Sequence, residues 1–246
     1  MSAMFGPAGN AASFPYKSSV DAPRWLAGLG LDCYEYQCGK GVNVGEETAR
    51  KVGQAARQAA DWMGASRVVI HSGALMKRTR REAMDIAIPA LKAVVAACDE
   101  AGFGHIALCP ETMGKINQLG DLDEVLELCQ LDIRLVPCVD FGHLYARSLG
   151  ELEGHEACVR MLNRIAEVLG EERASRFHSH FSKIQFTPNG GEKMHLTFDQ
   201  DDFGPDPAPL MAEVARRGWS PTFICESAGT QAEDALTMKK LYQASL

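Results

Sequence analysis

No apolar stretch in the 246-residue chain approaches the roughly 20 residues needed to cross a bilayer, which excludes a helical membrane protein. The opening MSAMFGPAGNAASFPYKSS lacks a charged segment followed by an apolar one, so no secretory leader is expected. Nor is there an excess of basic charge. The 25 Lys and Arg stand against 32 Asp and Glu, a formal charge of −7. A nucleic-acid binder working only through a basic surface is therefore disfavoured, although divalent cations held in a pocket would alter the balance locally. The eight cysteines include no C-x-x-C pair. Most sit in apolar runs (VVAACDE, IALCPE, LVPCVD, FICES), as buried thiols of a reducing cytoplasm do. Cys33 and Cys38 could pair on a metal, but the core is the better reading for them. Neither G-x-G-x-x-G nor G-x-x-x-x-G-K-[ST] occurs, which removes the usual phosphate-cradling loops of open nucleotide-binding sheets. No low-complexity tract divides the chain, and one domain is expected over residues 1–246.

What is present is alternation. Strand-like runs at Met4–Phe5, Cys33–Gln37, Arg67–Ile70, His105–Cys109, Leu135–Val139, Phe177–Gln185 and Thr222–Cys225 are separated by amphipathic segments. Asp21 and Pro23 open a first helix, and a stripe of Ala49, Val52, Ala56, Ala60 and Met63 marks a second over 46–64. Thr79 and Glu82 form a capping box, and Pro89 is expected to kink or divide the helix that follows. Leu122, Val125 and Leu126 mark a short helix; Cys158, Met161, Leu162, Ile165 and Val168 a longer one. Another is expected from Pro207 to Arg217, and Thr230 with Glu233 opens a last one reaching Tyr242. A parallel sheet covered by helices follows, either a closed α/β barrel or an open doubly wound sheet.

Five strand-like runs end in a potential metal ligand: His71, Glu111, Asp140, His180 and Glu226. In a parallel barrel such ends converge on one rim. Each alone has an ordinary explanation, such as a helix cap, a turn or a surface ion pair, but five repetitions favour a shared metal site. Asp140-Phe-Gly-His143 adds a second imidazole, and His195 in GEKMHLTF is a further candidate from the following loop. Imidazole with carboxylate and no thiolate suits zinc, manganese or iron. His178, two residues before His180, is read as a supporting or substrate-facing group. The polar loop Gly114–Gly120 offers Lys115 and Asn117 for substrate contact. The basic run Lys77–Arg81 reads as solvated loop in preference to an anion track.

The segments CPETMGKINQLG, CVDFGH, HFSKIQF, EKMHLTF and ICESAGTQAEDAL resemble the endonuclease IV group, the xylose isomerase-like barrels that include the family-2 apurinic/apyrimidinic endonucleases. The resemblance implies a TIM barrel with up to three zinc ions that cuts DNA beside abasic sites. His71 and Glu111 match ligands of the first ion, with Glu111 bridging to the second. Asp140, His180 and Glu226 match the rest of the second set, and His143 and His195 the third. Two departures stand out. Lys193 occupies the place of a third-set carboxylate, leaving two zinc ions expected, with manganese as an alternative. About one βα unit is also missing before Arg67, which predicts seven strands and a barrel opened or distorted between the strands bearing Glu35 and His71.

Three functions are consistent with these residues. The first is a zinc-dependent phosphodiesterase on abasic DNA, in which Glu111 or Glu226 holds the attacking water. The second is a sugar isomerase or epimerase needing only Glu111, Asp140, His180 and Glu226. The third is a metal-binding barrel without turnover. A cytoplasmic location is expected for each.

Overall fold

A computed structural model describes residues 2–17, 21–36 and 66–246; the helix expected over 46–64 and Cys38 lie outside the described residues. The first half contains strand β1 (Met4–Pro7), helix α1 (Ala22–Gly28), β2 (Arg67–His71), α2 (Arg80–Glu100) and β3 (Ala107–Glu111). Helices α3 (Leu122–Cys129), α4 (Phe141–Arg147), α5 (Gly154–Leu169) and α6 (Glu171–Ala174) come next. The chain ends with β4 (His178–Phe181), β5 (Lys183–Thr187), β6 (Gly191–Leu196), α7 (Pro207–Arg217), β7 (Thr222–Cys225) and α8 (Gln231–Ala244).

Strand β7 lies parallel between β1 and β4, with Thr222 opposite both Met4 and His178. Strand β2 runs parallel to β3, His71 opposite Glu111. Two extended segments complete the ring. Parallel bridges Leu108–Leu135, Glu111–Cys138 and Cys138–His178 insert residues 135–138 between β3 and β4. The bridge Ala8–Glu35, with Asp32 N donating to Phe5 O at 2.9 Å, sets residues 32–35 beside β1. Among the described residues seven parallel segments thus follow the chain order around an α/β barrel of TIM type. Among the described residues no pairing joins 32–35 to β2, the place where the sequence predicts the break.

Period-two alternation divides each strand between barrel interior and helical coat. Phe177, Phe181, Phe223, Leu108, Leu135 and Val139 face outward into the apolar core under the helices. There Phe5 stacks on Phe223 with centroids 5.5 Å apart, and Phe177 meets Phe223 edge-on at 5.8 Å. The intervening residues, among them Cys109, Cys138, His178 and His180, turn inward. Burying an outward Phe contributes on the order of 2–3 kcal/mol, so this packing fixes the register that aims the alternate residues at the axis.

Helix ends agree with the sequence at Thr79, where the capping box to Glu82 is complete, and α2 runs through Pro89 as one helix. Asp121 caps α3 in the same way, with Glu124 as the reciprocal partner. Thr230 makes no cap bond; its hydroxyl donates to Asp234 Oδ2 at 2.7 Å, one turn into α8, so the expected box with Glu233 is absent. The single strand expected over Phe177–Gln185 is two. The parallel strand β4 ends at Phe181, and β5 folds back with β6 as an antiparallel hairpin over the barrel mouth. Among the described residues no helix is long and apolar enough to cross a membrane, and every described cysteine is a free thiol.

Candidate metal centre

At the carboxyl ends of the strands the inward positions carry the predicted ligands. Glu111 ends β3, Asp140 caps α4 just past segment 135–138, His180 lies on β4, and Glu226 follows β7. One potential ligand atom from each of these four residues lies within 4.8 Å of the others. His180 Nδ1 stands 3.0 Å from Glu111 Oε1 and 3.5 Å from Glu226 Oε2. The five strand ends do converge. His71, from β2, bonds Glu111 through Nε2 at 2.9 Å while its own side chain is 63% exposed, which puts it at the opening.

Asp140 shows most directly what the pocket is built for. Its Oδ1 accepts the His143 backbone N–H at 2.7 Å, a helix N-cap that accounts for the D-x-x-H spacing. Its Oδ2 is buried and finds no hydrogen-bond donor among the described residues. His143 Nδ1, 3.3 Å away, donates instead to the Thr112 carbonyl oxygen at 2.8 Å. A buried carboxylate oxygen without a partner costs free energy unless a cation completes it. The donor set, three carboxylates and one imidazole, fits zinc, manganese or iron.

The electrostatics agree. Burial pushes the Asp140 carboxyl up from its ordinary value, Glu226 and Glu111 adding to the effect against the pull of His143. Burial also opposes charge on Glu111, but His180, His71 and His143 together hold it well below the usual carboxylate range. The His180 cation is disfavoured by burial, yet Cys138, Glu226, Glu111 and Glu35 raise its pKa well above that of free imidazole. Within the cluster, carboxylates and imidazoles supply the counter-charge that a divalent cation would supply in their place.

A second group stands alongside, made of His143, Glu192 and His195. Because its Nδ1 is spent on Thr112, His143 presents Nε2 to Glu192 Oε2 at 3.6 Å. Here the sequence expectation needs correction. Lys193 does not stand on the ligand face; it is exposed, and Glu192 supplies the carboxylate. The cause is a β-bulge. Gln185 pairs with Met194 but Phe186 with Glu192, so Lys193 is the extra residue and the alternation slips by one. Glu192 and His195, three apart, thereby reach the same side. His195 belongs to strand β6 and not to a loop, and its Nδ1 lies 2.8 Å from Ser182 Oγ. Glu192 is carried close by two glycines: a Cβ on Gly191 would meet Gly114 O at 2.3 Å, and one on Gly114 would meet Glu192 Cβ at 2.6 Å.

Lys115 and Asn117 are exposed on the loop after β3. That loop is held by guanidinium groups: Arg147 donates to the carbonyls of Met113 and Lys115, and Arg80 to those of Ile116 and Gln118. Arg80 also clamps Glu124, and Arg81 pairs with Glu127 and Asp85, so these members of the basic run serve the fold. His178 lies below His180, buried, with Nε2 3.2 Å from Glu35 Oε2. Glu35 is absent from the sequence-derived ligand set. Glu35 stands in the middle of the strand-like run Cys33–Gln37, so the strand-end signal used for the others does not mark it.

Fold and site define a parallel α/β barrel with clustered carboxylates and imidazoles at its mouth. The chain belongs to the xylose isomerase-like TIM barrel family, whose sequence profile matches residues 24–243. An uncharacterised protein of Methanocaldococcus jannaschii is 31% identical over 173 residues, 70% of this chain; the match spans 61% of that relative's length. Among solved structures, a D-tagatose 3-epimerase-like protein superposes with a TM-score of 0.55 at 16% identity, over 97% of this chain and 87% of its own. The IOLI protein with a bound zinc atom gives 0.55 at 11% identity, over 94% and 84%. The probable 3-DHS dehydratase of petrobactin synthesis from Bacillus anthracis gives 0.52 at 16%, over 92% and 82%.

Proposed function

We propose that the protein is a divalent-cation-dependent isomerase or epimerase of a small polyhydroxylated substrate, with Glu111, Asp140, His180 and Glu226 holding the ion. The observation that carries this reading is the unpartnered, buried Oδ2 of Asp140 inside that four-residue cluster. A cation held there would grip neighbouring carbonyl and hydroxyl oxygens and acidify the C–H beside them. The protein's own groups divide the remaining work. Glu111, 2% exposed and bonded to His71 and His180, is fixed in place. Glu226, 15% exposed, is the most accessible of the three carboxylates, and on that ground it is assigned to move the substrate proton. Lys115 and Asn117, on the exposed loop beside the mouth, are assigned to substrate hydroxyls. The resemblance to a D-tagatose 3-epimerase-like protein and to the zinc-bound IOLI protein supports this reading over DNA cleavage.

The test is solvent exchange. Manganese- or zinc-loaded protein incubated in deuterium oxide with a panel of ketoses and aldoses is expected to incorporate deuterium. Chelator should abolish the exchange, and Glu226→Gln should slow it by about 10²-fold. No exchange by fully loaded protein across the panel would remove this function.

One observation favours a second reading, a two- or three-zinc phosphodiesterase on abasic DNA. The His143–Glu192–His195 group adjoins the first cluster, with His143 Nδ1 3.5 Å from Glu111 Oε1, so neighbouring ions could clamp a phosphate. Zinc-dependent nicking of an abasic duplex, above a Glu111→Gln control, would move the assignment to this reading.

A further inference from the structure

Behind the metal cluster runs a chain of hydrogen bonds that the proposed reaction does not use. Arg67, on the inward face of β2, is anchored at the base of β4: its Nη2 donates to Arg176 O at 3.0 Å and its Nη1 to Phe177 O at 3.3 Å. Nη1 also lies 3.4 Å from His178 Nδ1. Guanidinium nitrogens only donate, so that imidazole nitrogen accepts, and the His178 proton sits on Nε2. His178 Nε2 then donates to Glu35 Oε2 at 3.2 Å. The same oxygen lies 3.0 Å from His180 Nε2 and accepts a second N–H there. On the other side of the ring His180 Nδ1 donates to Glu111 Oε1 at 3.0 Å and faces Glu226 Oε2 at 3.5 Å, so it is the nitrogen whose proton a cation at that cluster would displace.

We propose that Arg67, His178 and Glu35 are positioning residues that hold a His180 proton on Nε2 and so make Nδ1 the nitrogen that yields its proton and becomes the ligand atom of the cation site. The proposal rests on the metal-dependent reading above. A neutral imidazole ligates only through its unprotonated nitrogen, and a carboxylate on the opposite N–H fixes both tautomer and ring orientation. Here the carboxylate is itself held by a second histidine, whose tautomer is dictated by an arginine. Three strand segments, 32–35, β2 and β4, thus decide which way one ligand points. The nearby trio Cys138, His178 and His180 also brings three donor atoms within 4.8 Å of one another. Both nitrogens of His178 are already engaged, one of them against a guanidinium cation, which disfavours an ion at that place.

Long-range proton–nitrogen correlation spectra of the full-length protein, labelled at histidine nitrogen, test the chain directly. In metal-free protein at neutral pH, His178 is expected with its proton on Nε2 and an unprotonated Nδ1. In zinc-loaded protein, His180 is expected with its proton on Nε2 and zinc on Nδ1. Glu35→Gln should weaken zinc binding about 10- to 100-fold in chelator competition, with metal-free thermal stability recorded alongside to separate folding from ligation. Arg67→Met should leave His178 as a mixture of tautomers. A His178 proton on Nδ1, zinc on Cys138 and His178, or wild-type zinc affinity in folded Glu35→Gln would each overturn the proposal. If the wild type binds neither zinc nor manganese, the functional reading fails by itself, while the metal-free His178 spectrum still decides the hydrogen-bond chain.

Discussion

At the scale of single residues, Asp140 joins two roles that a substitution can separate. Its Oδ1 caps α4, and its Oδ2 is buried without a donor among the described residues. Asn at this position keeps the cap and removes the charge that burial penalises. Asp140→Asn is therefore expected to leave the metal-free protein as stable as wild type, or slightly more so, while abolishing stabilisation by metal. A ligand at 100 times its Kd stabilises the native state by about 2.7 kcal/mol, readable as a shift in Tm. A metal-induced shift of wild-type size in Asp140→Asn would show that this carboxylate is not a ligand. The convergence of the five strand-end side chains was legible because strand termini of a parallel barrel share a rim, an inference that needs no distances. Glu35 was not, since its partners His178 and His180 lie more than 140 positions away and a carboxylate's role depends on what faces it.

At the scale of elements, the β6 bulge shows where period-two counting fails. Strict alternation puts Lys193 on the His195 face; one extra residue puts Glu192 there. Lys193→Ala is expected to leave metal stoichiometry unchanged. Glu192→Gln should weaken a second ion by at least about 10-fold while sparing the first, as measured by elemental analysis after graded dialysis. The reverse outcome would restore Lys193 to the ligand face. Helix α7 supports a pH prediction. Glu213 accepts from Arg216 Nε and Nη2 and from Arg217 Nε, each at 2.7 Å. The Arg216 bonds, opposed by burial and helped by Arg217, bring its pKa down to about 2. Because the folded value lies below the unfolded one of about 4.3, this stabilisation is fully present above pH 4.3 and fades as the pH falls toward 2. The Arg216 side chain is 67% exposed, so solvent screening limits the contribution to about 1 kcal/mol. Glu213→Gln should cost that much at pH 7 in urea unfolding, and the difference from wild type should shrink steadily between pH 4.3 and 2. Helix limits were readable where a cap closes locally, as at Thr79. Thr230 escaped because its hydroxyl is taken by Asp234, a choice made with Phe198, whose N–H also bonds that carboxylate.

At the scale of the molecule, the seven strand-like runs, and the place where no pairing joins 32–35 to β2 among the described residues, could be read in advance, because both are matters of chain order. The division of FHSHFSKIQ into a barrel strand and a hairpin arm could not, since its alternation continues unbroken through Ser182 and only the return of β6 over the mouth separates the halves. The ring has a physical consequence of its own. Strand β7 is bonded on both sides, by β1 and β4, and all four of its residues are buried. Strand β2 pairs with β3 on one side; among the described residues nothing pairs with its other edge, and Val68 is 40% exposed. Amides open by local fluctuation in proportion to how few contacts must break. Hydrogen exchange followed by mass spectrometry should accordingly find Arg67–His71 exchanging at least about 10-fold faster than Thr222–Cys225 in metal-free protein. Loading with zinc or manganese should slow β2, because His71 is tied to the cluster through Glu111, and should leave β7 almost unchanged. Equal protection of the two strands before metal is added would mean that β2 is as firmly held in the barrel wall as β7, and that the ring is closed on both of its sides.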